Sequence, residues 1–237
     1  MDITRQQLQA IRLRHRGYRL VLLYELLFLL LLPLGQLVNP LVSLLLIGLA
    51  VVLMVFVNRF SRIASTRPVM LLLGCSAIGL ELLWRLALAW QPALGWLITV
   101  PHVLVWLVFL LLVVVRGVRT LIREPFVTLS VLQGAASGYL TLGITGGVML
   151  TALWVLQPSA FLTAALPEQV SSGTPSGAVA AALMSASFGL LTTIGTEVMN
   201  PRNVTIHTLA TLITISGQLY IAVLIAIILG RVHQRLS

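Results

Sequence analysis

The 237-residue sequence contains little charge, and acids are especially scarce. Charged residues make up 9% of the chain, whereas a soluble domain carries about a quarter. Lysine is absent, because all fifteen basic residues are arginine, and the six acids are Asp2, Glu25, Glu81, Glu124, Glu168 and Glu197. So few acids argue against an enzyme that needs several convergent charged groups.

Cysteine and metal-binding patterns are also lacking. The single cysteine, Cys75, excludes a disulfide framework. Four histidines are scattered along the chain without the spacing of a metal site: His15, His102, His207 and His233. No phosphate-binding loop, dinucleotide fingerprint or nucleophile elbow occurs. The sequence therefore predicts no catalytic site and no bound cofactor.

Hydrophobic residues are abundant, at 59% of the chain with a mean hydropathy of +1.04. About six stretches approach the roughly 20 residues needed to cross a bilayer, near 20–38, 41–57, 69–90, 97–115, 129–156 and 204–230. The net charge of +9 would indicate nucleic-acid binding in a soluble protein. Here the arginines flank apolar stretches, so lipid headgroups are the predicted partner and no nucleic acid is expected.

The arginines also predict the orientation of the chain. With both termini in the cytoplasm, thirteen of the fifteen arginines fall on the cytoplasmic side. Arg202 alone lies outside, and Arg85 lies within the third span. Since positive residues concentrate in cytoplasmic loops, this bias favours an even number of crossings. We expect an all-α membrane protein with six transmembrane helices.

The first half of the chain divides into a basic cytoplasmic segment, 1–19, and a four-helix module, 20–123. A voltage sensor needs arginines at three-residue spacing through the membrane. The fourth span has none from Leu97 to Val115; Arg116, Arg119 and Arg123 follow only at its cytoplasmic end. The four-helix module is therefore not predicted to be a voltage sensor.

The stretch between the fifth and sixth spans does not fit a simple crossing. A polar loop, 158–177, precedes an apolar, helix-prone run of about 14 residues at 178–191, which is too short to cross. Irregular backbone at membrane depth is tolerated only inside protein or beside a water-filled cavity. The pattern favours a re-entrant helix and loop that form part of a pore, and the alternative is an amphipathic helix on the outer surface.

Residues 192–201, TTIGTEVMNP, resemble the filter of bacterial potassium channels, TTLGYGDxxP. The run LATLITISGQLYIAVLIA at 209–226 is similar to the inner helix of that family, and residues 127–140 are similar to its outer helix. The resemblance implies a homotetrameric six-span cation channel with a pore module at 125–237. Its parts would be the outer helix 126–156, the pore helix 178–191, the filter 192–197 and the inner helix 204–230.

The same resemblance implies roles for individual residues. Backbone carbonyls and a threonine hydroxyl replace the water shell of the ion in such filters. The implied filter residues are Thr192, Thr193, Ile194, Gly195, Thr196 and Glu197, of which Thr193 to Thr196 would line the conduit. Residues 185–191 would support the filter from behind, and Gly217 would be the gating-hinge candidate of the inner helix.

Three filter positions depart from the family pattern. Thr196 replaces the tyrosine, Glu197 the second glycine and Val198 the aspartate. The loss of the tyrosine and of the left-handed glycine argues against high potassium selectivity. Four Glu197 side chains would form a cation-attracting ring, which favours Na⁺ or Ca²⁺ permeation or divalent block. The alternatives are pairing of Glu197 with Arg202 at the outer mouth, and a collapsed filter.

Three charged residues fall within predicted spans. Glu81 and Arg85 have the i, i+4 spacing of an intrahelical pair, and a neutralised structural pair is favoured over an ion site. Glu25 has only Arg19 and Arg16 nearby in sequence, so it would face another helix, for example at Arg85, or lie near the cytoplasmic boundary.

The sequence therefore favours a cation channel in the inner membrane of a prokaryote. A non-conducting structural or regulatory subunit derived from a channel is the main alternative. A secondary transporter with a broken-helix substrate site ranks lower, because the first half of the chain has no counterpart of 178–201. About seven residues follow the sixth span, so no cytoplasmic ligand-binding domain is expected. An unidentified gating subunit is a further candidate partner.

Overall fold

A computed structural model of the chain describes residues 5–60, 67–122, 128–166 and 176–236. Within these ranges the protein is all-helical, without a β-strand, and six of its helices are long and apolar enough to cross a membrane. The predicted all-α fold with six apolar spans is confirmed at this level, and it indicates a multi-pass membrane protein. Residues 1–4, 61–66, 123–127, 167–175 and 237 of the predicted segments, with Glu124 and Glu168, lie outside the described ranges.

The described helices are α1 (Arg5–Leu31), α2 (Leu41–Phe60), α3 (Arg67–Trp90), α4 (Pro92–Ile122), α5 (Leu129–Leu156), α6 (Gly177–Leu191) and α7 (Val204–Leu236). A short 3₁₀ helix, Leu32–Gln36, extends α1. From Arg5 onward the predicted basic segment is the first part of α1 rather than a separate element. Helix α5 begins at Leu129 instead of 126, and α7 continues beyond 230 to Leu236.

Helix α5 is the central element, because it packs against α1, α4, α6 and α7. Of the residues in its apolar window, 67% are buried, whereas the corresponding value for α7 is 22%. Small residues along α5, such as Ala135 and Gly143, let its neighbours approach closely. Helix α7 therefore has a large unpartnered surface in the single chain.

Helix α6 begins beside the connection between α1 and α2. Its Ala-rich sequence favours a helix, and the Ser176 hydroxyl caps it by accepting from the Val179 N–H at 3.2 Å. The side-chain oxygen of Asn39 accepts a second hydrogen bond, from the Gly177 N–H. Fifteen residues give α6 a length of about 22 Å, which is short of the ~30 Å hydrocarbon layer.

The other end of α6 lies deep between α5 and α7. Tyr139 of α5 and Thr214 of α7 donate hydrogen bonds to the last two carbonyl groups of α6. Thr214 is ten residues after Val204, or about 15 Å along the axis of α7. Helix α6 thus runs from the Asn39 end of the bundle to roughly the middle of the apolar span of α7, Val204–Ile227, and stops there.

Candidate functional site

The candidate site is the loop that follows α6, which we call the filter loop (residues 192–197), with the helix end that supports it. A helix end leaves four carbonyl groups without partners in the helix, and in a low-dielectric setting each needs a donor. All four acceptors of α6, Phe188 to Leu191, receive one. The donors come from the filter loop itself and from the flanking helices: Thr192, Thr193, Gly195, Tyr139 and Thr214.

The filter loop supplies three of these donors by folding back over the helix. The N–H and hydroxyl of Thr192 donate to the Phe188 carbonyl at 3.0 and 2.8 Å. The N–H of Thr193 donates to the Leu190 carbonyl at 3.1 Å, and that of Gly195 to the Gly189 carbonyl at 3.1 Å. The loop is therefore built onto α6 by backbone bonds.

Two filter-loop residues have left-handed backbone. Gly195 has φ of +87°, which costs glycine nothing, and Thr193 has φ of +62°. For a β-branched residue this conformation costs about 1–2 kcal/mol. Glu197 does not have a positive φ, although the potassium-channel pattern that this segment resembles has a glycine at its position. The strain in this loop thus falls on Thr193 instead of Glu197.

The loop is exposed in the single chain, and its orientation differs from the arrangement that the resemblance implies. The Ile194 side chain is 84% exposed, while the carbonyl of Gly195 lies against Gly189 of α6. A row of ion-coordinating carbonyl groups would require the Gly195 carbonyl to point toward the pore axis and the Ile194 side chain to pack against protein. Thr192, Thr193 and Gly195 are also exposed, and Thr196 is half-buried.

A groove of about 700 Å³ runs beside the filter loop. The end of α1 with Leu29 and the 3₁₀ helix after it with Pro33 and Gln36 form one wall, and α6 forms the other with Ser185 and its neighbours. Ile194 and Thr196 lie at the edge of this groove. The four-helix module therefore reaches the filter loop directly, through α1.

After the filter loop, the chain returns to the loop that follows α5. The Leu162 N–H donates to the Val198 carbonyl at 2.9 Å, and the Asn200 N–H donates to the Ala160 carbonyl at 3.0 Å. The Asn200 amide adds a bond of 2.9 Å to the Ser159 carbonyl. These contacts anchor the C-terminal side of the filter loop to the segment that follows α5.

Glu197 and Arg202 are both exposed near this end, and the described part of the chain forms no ion pair between them. The Arg202 N–H donates to the Asn200 side chain at 3.1 Å. Arg202 also borders a second groove, of about 370 Å³, along the exposed face of α7 near Thr208 and Thr211. The carboxylate of Glu197 is therefore free of Arg202 within one subunit.

Gly217 lies in the buried face of α7 and contacts the end of α6. A Cβ atom added there would be 3.0 Å from the Leu191 carbonyl oxygen. Helix α7 continues as an α-helix through Gly217 to Leu236. The hinge candidate thus packs directly against the base of the filter loop.

Glu81 and Arg85 belong to a larger polar cluster that sequence reasoning described only in part. The Ser43 hydroxyl of α2 donates to Glu81, and Arg85 Nε lies 2.5 Å from the Ser43 oxygen and 3.9 Å from Glu81 Oε1. His102 Nε2 of α4 lies 2.7 Å from Glu81 Oε2. The His102 ring stacks on Trp84, with ring centroids 4.6 Å apart. Spacing within α3 indicated Arg85 as a partner, but no local signal indicated Ser43 or His102.

This cluster borders α6, because a small cavity between them is lined by Glu81, His102 and Met184. No group of three or more His, Cys, Asp or Glu residues suited to a metal ion occurs among the described residues. Comparison of the chain with protein-family models, curated proteins and solved structures finds no match. Any functional conclusion therefore depends on the residues of this chain.

Proposed function

We propose that this chain is one subunit of a homotetrameric cation channel with a potassium-channel-like pore and a divergent filter. In this proposal α5 is the outer helix, α6 is a re-entrant pore helix, residues 192–197 form the filter and α7 is the inner helix. The protein lies in the plasma membrane of a prokaryote with both termini cytoplasmic, as the arginine distribution favours.

The observation that carries the proposal is the depth of α6. The helix starts beside Asn39, ends beside Tyr139 and Thr214, and is followed by a loop that returns to Asn200 at the starting end. This segment enters and leaves on one side of the bundle, and protein donors bind all the carbonyl groups at the end of α6. Irregular backbone is tolerated at membrane depth when its polar groups are satisfied in this way. The C-terminus of α6, the negative end of its dipole, would then face the middle of the bilayer and attract cations.

The exposed surfaces support an oligomer around this element. Helix α7 is the least buried of the long helices, and its exposed face carries His207, Thr208, Thr211 and Gln218. Polar side chains in membrane helices face other helices or water-filled cavities. Four copies arranged with α7 and the filter loops toward a common axis would bury or hydrate these groups.

Glu197 would set the ionic character of this pore. It is exposed, is not paired with Arg202 in the subunit and lies where the loop leaves toward the outer end. Four such carboxylates would attract cations and bind divalent ions more strongly than monovalent ones. The proposed permeant ions are Na⁺ and Ca²⁺, and the alternative role of Ca²⁺ is block of the pore.

A second candidate, a non-conducting channel-derived subunit, is favoured by one observation. The exposed Ile194 side chain and the Gly195 carbonyl against α6 do not form a row of ion-coordinating oxygens. Four isoleucines at the axis would make an apolar constriction, which can close a pore by dewetting. In that case the protein would regulate or support another membrane protein.

Planar-bilayer recording of the purified protein under asymmetric K⁺, Na⁺ and Ca²⁺ tests both candidates. We expect a cation current whose block by Ca²⁺ weakens roughly tenfold in Glu197→Gln, equivalent to about 1.4 kcal/mol. Glu197→Asp is the matched control, because it keeps the charge and should keep the block. Native mass spectrometry of the same samples measures whether four chains assemble.

The outcomes separate the candidates. A current that is insensitive to Glu197→Gln would rule out the acidic ring while retaining a channel. Reproducible silence from a folded tetramer would favour the non-conducting subunit, and Ile194→Ala would then test whether the apolar constriction causes it. A stable monomer without current would overturn the proposed assembly.

A further inference from the structure

Two carboxyl groups, Glu25 and Glu81, are fully buried in helices that are long and apolar enough to span the membrane. Their surroundings differ in charge. In the described structure Glu81 has Arg85 and His102 as ion-pair partners, and Glu25 has none. A buried carboxylate without a compensating charge is strongly disfavoured.

A series of hydrogen bonds connects the Arg85 guanidinium through Ser43 to the Glu81 carboxylate. Arg85 Nε–H has no acceptor role, so it donates to Ser43 Oγ at 2.5 Å. The single Ser43 proton is then donated to Glu81 Oε1. His102 contacts the other oxygen, Oε2, at 2.7 Å. Glu81 Oε1 therefore accepts from Ser43, and Oε2 accepts from His102 when the histidine proton is on Nε2. With the Arg85 guanidinium 3.9 Å away, this arrangement fits an ionised carboxylate.

The surroundings of Glu25 carry no charge in the described structure. Thr141 Oγ1 of α5 lies 2.6 Å from Glu25 Oε1 and 3.0 Å from the Ser137 backbone carbonyl oxygen, and it donates its one proton to either acceptor. Glu25 Oε1 therefore has a neutral hydroxyl as its partner, whereas Glu81 has the Arg85 guanidinium 3.9 Å away.

No cation compensates Glu25 in the described part of the chain. Glu25 makes no ion pair there, its Oε2 has no hydrogen-bond partner, and α5 carries no charged residue. Arg85, considered above as a partner from another helix, is bound to Ser43 and Glu81 instead. On α1 itself the nearest arginine, Arg19, is exposed and six residues away, about 9 Å along the axis.

In the described structure, Glu25 forms no ion pair with the other neighbouring helices. This includes Arg116 and Arg119 of α4, a helix whose Val113 and Gly117 border the same cavity as Thr141. The titratable group from α7 is Tyr220, whose hydroxyl donates to the Ala135 carbonyl at 2.8 Å. In α2 the only charged residue is Arg59, near the far end of the helix. An ionised carboxylate with an unpartnered oxygen would be strongly destabilising at this depth.

We infer that Glu25 is a proton-binding site in the middle of the membrane, neutral at physiological pH, whereas Glu81 is ionised. The hydrogen bond between Thr141 and Glu25 joins α1 to α5, beside the contact between α5 and Tyr220 of α7. Loss of the proton would leave a lone charge between these helices. The inference is independent of whether the protein conducts ions.

Dicyclohexylcarbodiimide tests the inference on the full-length protein in liposomes. The reagent partitions into membranes and adds to protonated carboxyl groups. The carboxyl proton moves to a carbodiimide nitrogen, the carboxyl oxygen bonds to the central carbon, and the adduct rearranges to a stable N-acylurea without a leaving group. Peptide mapping by mass spectrometry locates the adduct.

We expect an adduct on Glu25 and none on Glu81, with labelling that falls as the pH is raised. Glu25→Gln, which preserves shape and neutrality, should fold and reduce labelling to background, and Glu81→Gln should leave the Glu25 adduct in place. Labelling of Glu81 to the same extent as Glu25 would overturn the inference. If Na⁺ suppressed the labelling of Glu25 at constant pH, the site would bind a metal cation and not a proton, and the inference would be wrong.

Infrared difference spectroscopy resolves the case in which the reagent fails to reach the site. The carbonyl stretch of a protonated carboxyl should be present in the wild-type protein and in Glu81→Gln at neutral pH, and absent in Glu25→Gln. Its presence with this pattern supports the inference even without an adduct. Its absence from the wild-type protein overturns it.

Discussion

The amide nitrogen of Gly195 donates a hydrogen bond of 3.1 Å to the carbonyl oxygen of Gly189, and the carbonyl of Gly195 lies directly against the Gly189 Cα. The filter loop is thus folded onto the last turn of the helix from which it emerges. A side chain at position 189 would occupy the space of the Gly195 oxygen, because the added Cβ would be 2.5 Å away. This close approach requires glycine at 189.

Gly189→Ala should therefore displace the filter loop without removing the helix. We expect an unfolding free energy in mixed micelles lower by about 1–3 kcal/mol, the usual cost of overpacking. Any ion current should be lost or altered, because the loop cannot keep its position. Gly79→Ala in α3 is the matched control, since a Cβ there meets no atom within 4 Å. If both variants had the same unfolding free energy and the same current, the position of the filter loop would not depend on glycine at 189.

Tyr139→Phe removes the hydroxyl that donates to the Leu191 carbonyl at 2.9 Å. The carbonyl at the base of the filter loop would lose its donor, which costs about 1–3 kcal/mol for a buried group. We expect lower thermal stability and a change in the current or in ion block. Tyr220→Phe is a suitable comparison, because it removes a similar bond to Ala135 away from the loop. A change in ion block in Tyr220→Phe alone would be inconsistent with the proposed support of the filter.

His102→Phe tests the cluster around Glu81. Phenylalanine keeps an aromatic ring against Trp84 but removes the 2.7 Å contact with Glu81 Oε2. Breaking one partner of a buried charged group typically costs about 3–5 kcal/mol. We expect a loss of this order in the unfolding free energy, and a smaller one for His102→Gln, which retains an N–H donor. If His102→Phe were as stable as the wild-type protein, Glu81 would not depend on His102.

The spans were predictable because each is encoded locally. A run of about 20 apolar residues forms a membrane helix whatever its neighbours are, so composition was sufficient for α1 to α5 and α7. Their ends were less predictable: basic residues from Arg5 continue into α1, because nothing in the sequence breaks that helix before Leu31. The short length of α6 was also visible in the sequence.

The partners of individual side chains were not predictable in the same way. Glu81 and Arg85 are close in sequence, so the i, i+4 rule indicated their proximity. Ser43, His102 and Thr141 reach their carboxylates from other helices, across 38, 21 and 116 residues. Such contacts depend on which helix faces pack together, and periodicity does not specify this.

Apolar length and charge placement act locally, so the order of residues was enough to assign the class of protein, the number of apolar spans and the presence of one helix too short to cross. The packing of the helices specifies where that short helix ends and which groups cover its carbonyls. It also brings Arg85, Ser43 and His102 to Glu81 and only hydroxyl groups to Glu25. Both residues have the same side chain, and the donors that packing brings to each determine whether the carboxyl can carry a charge.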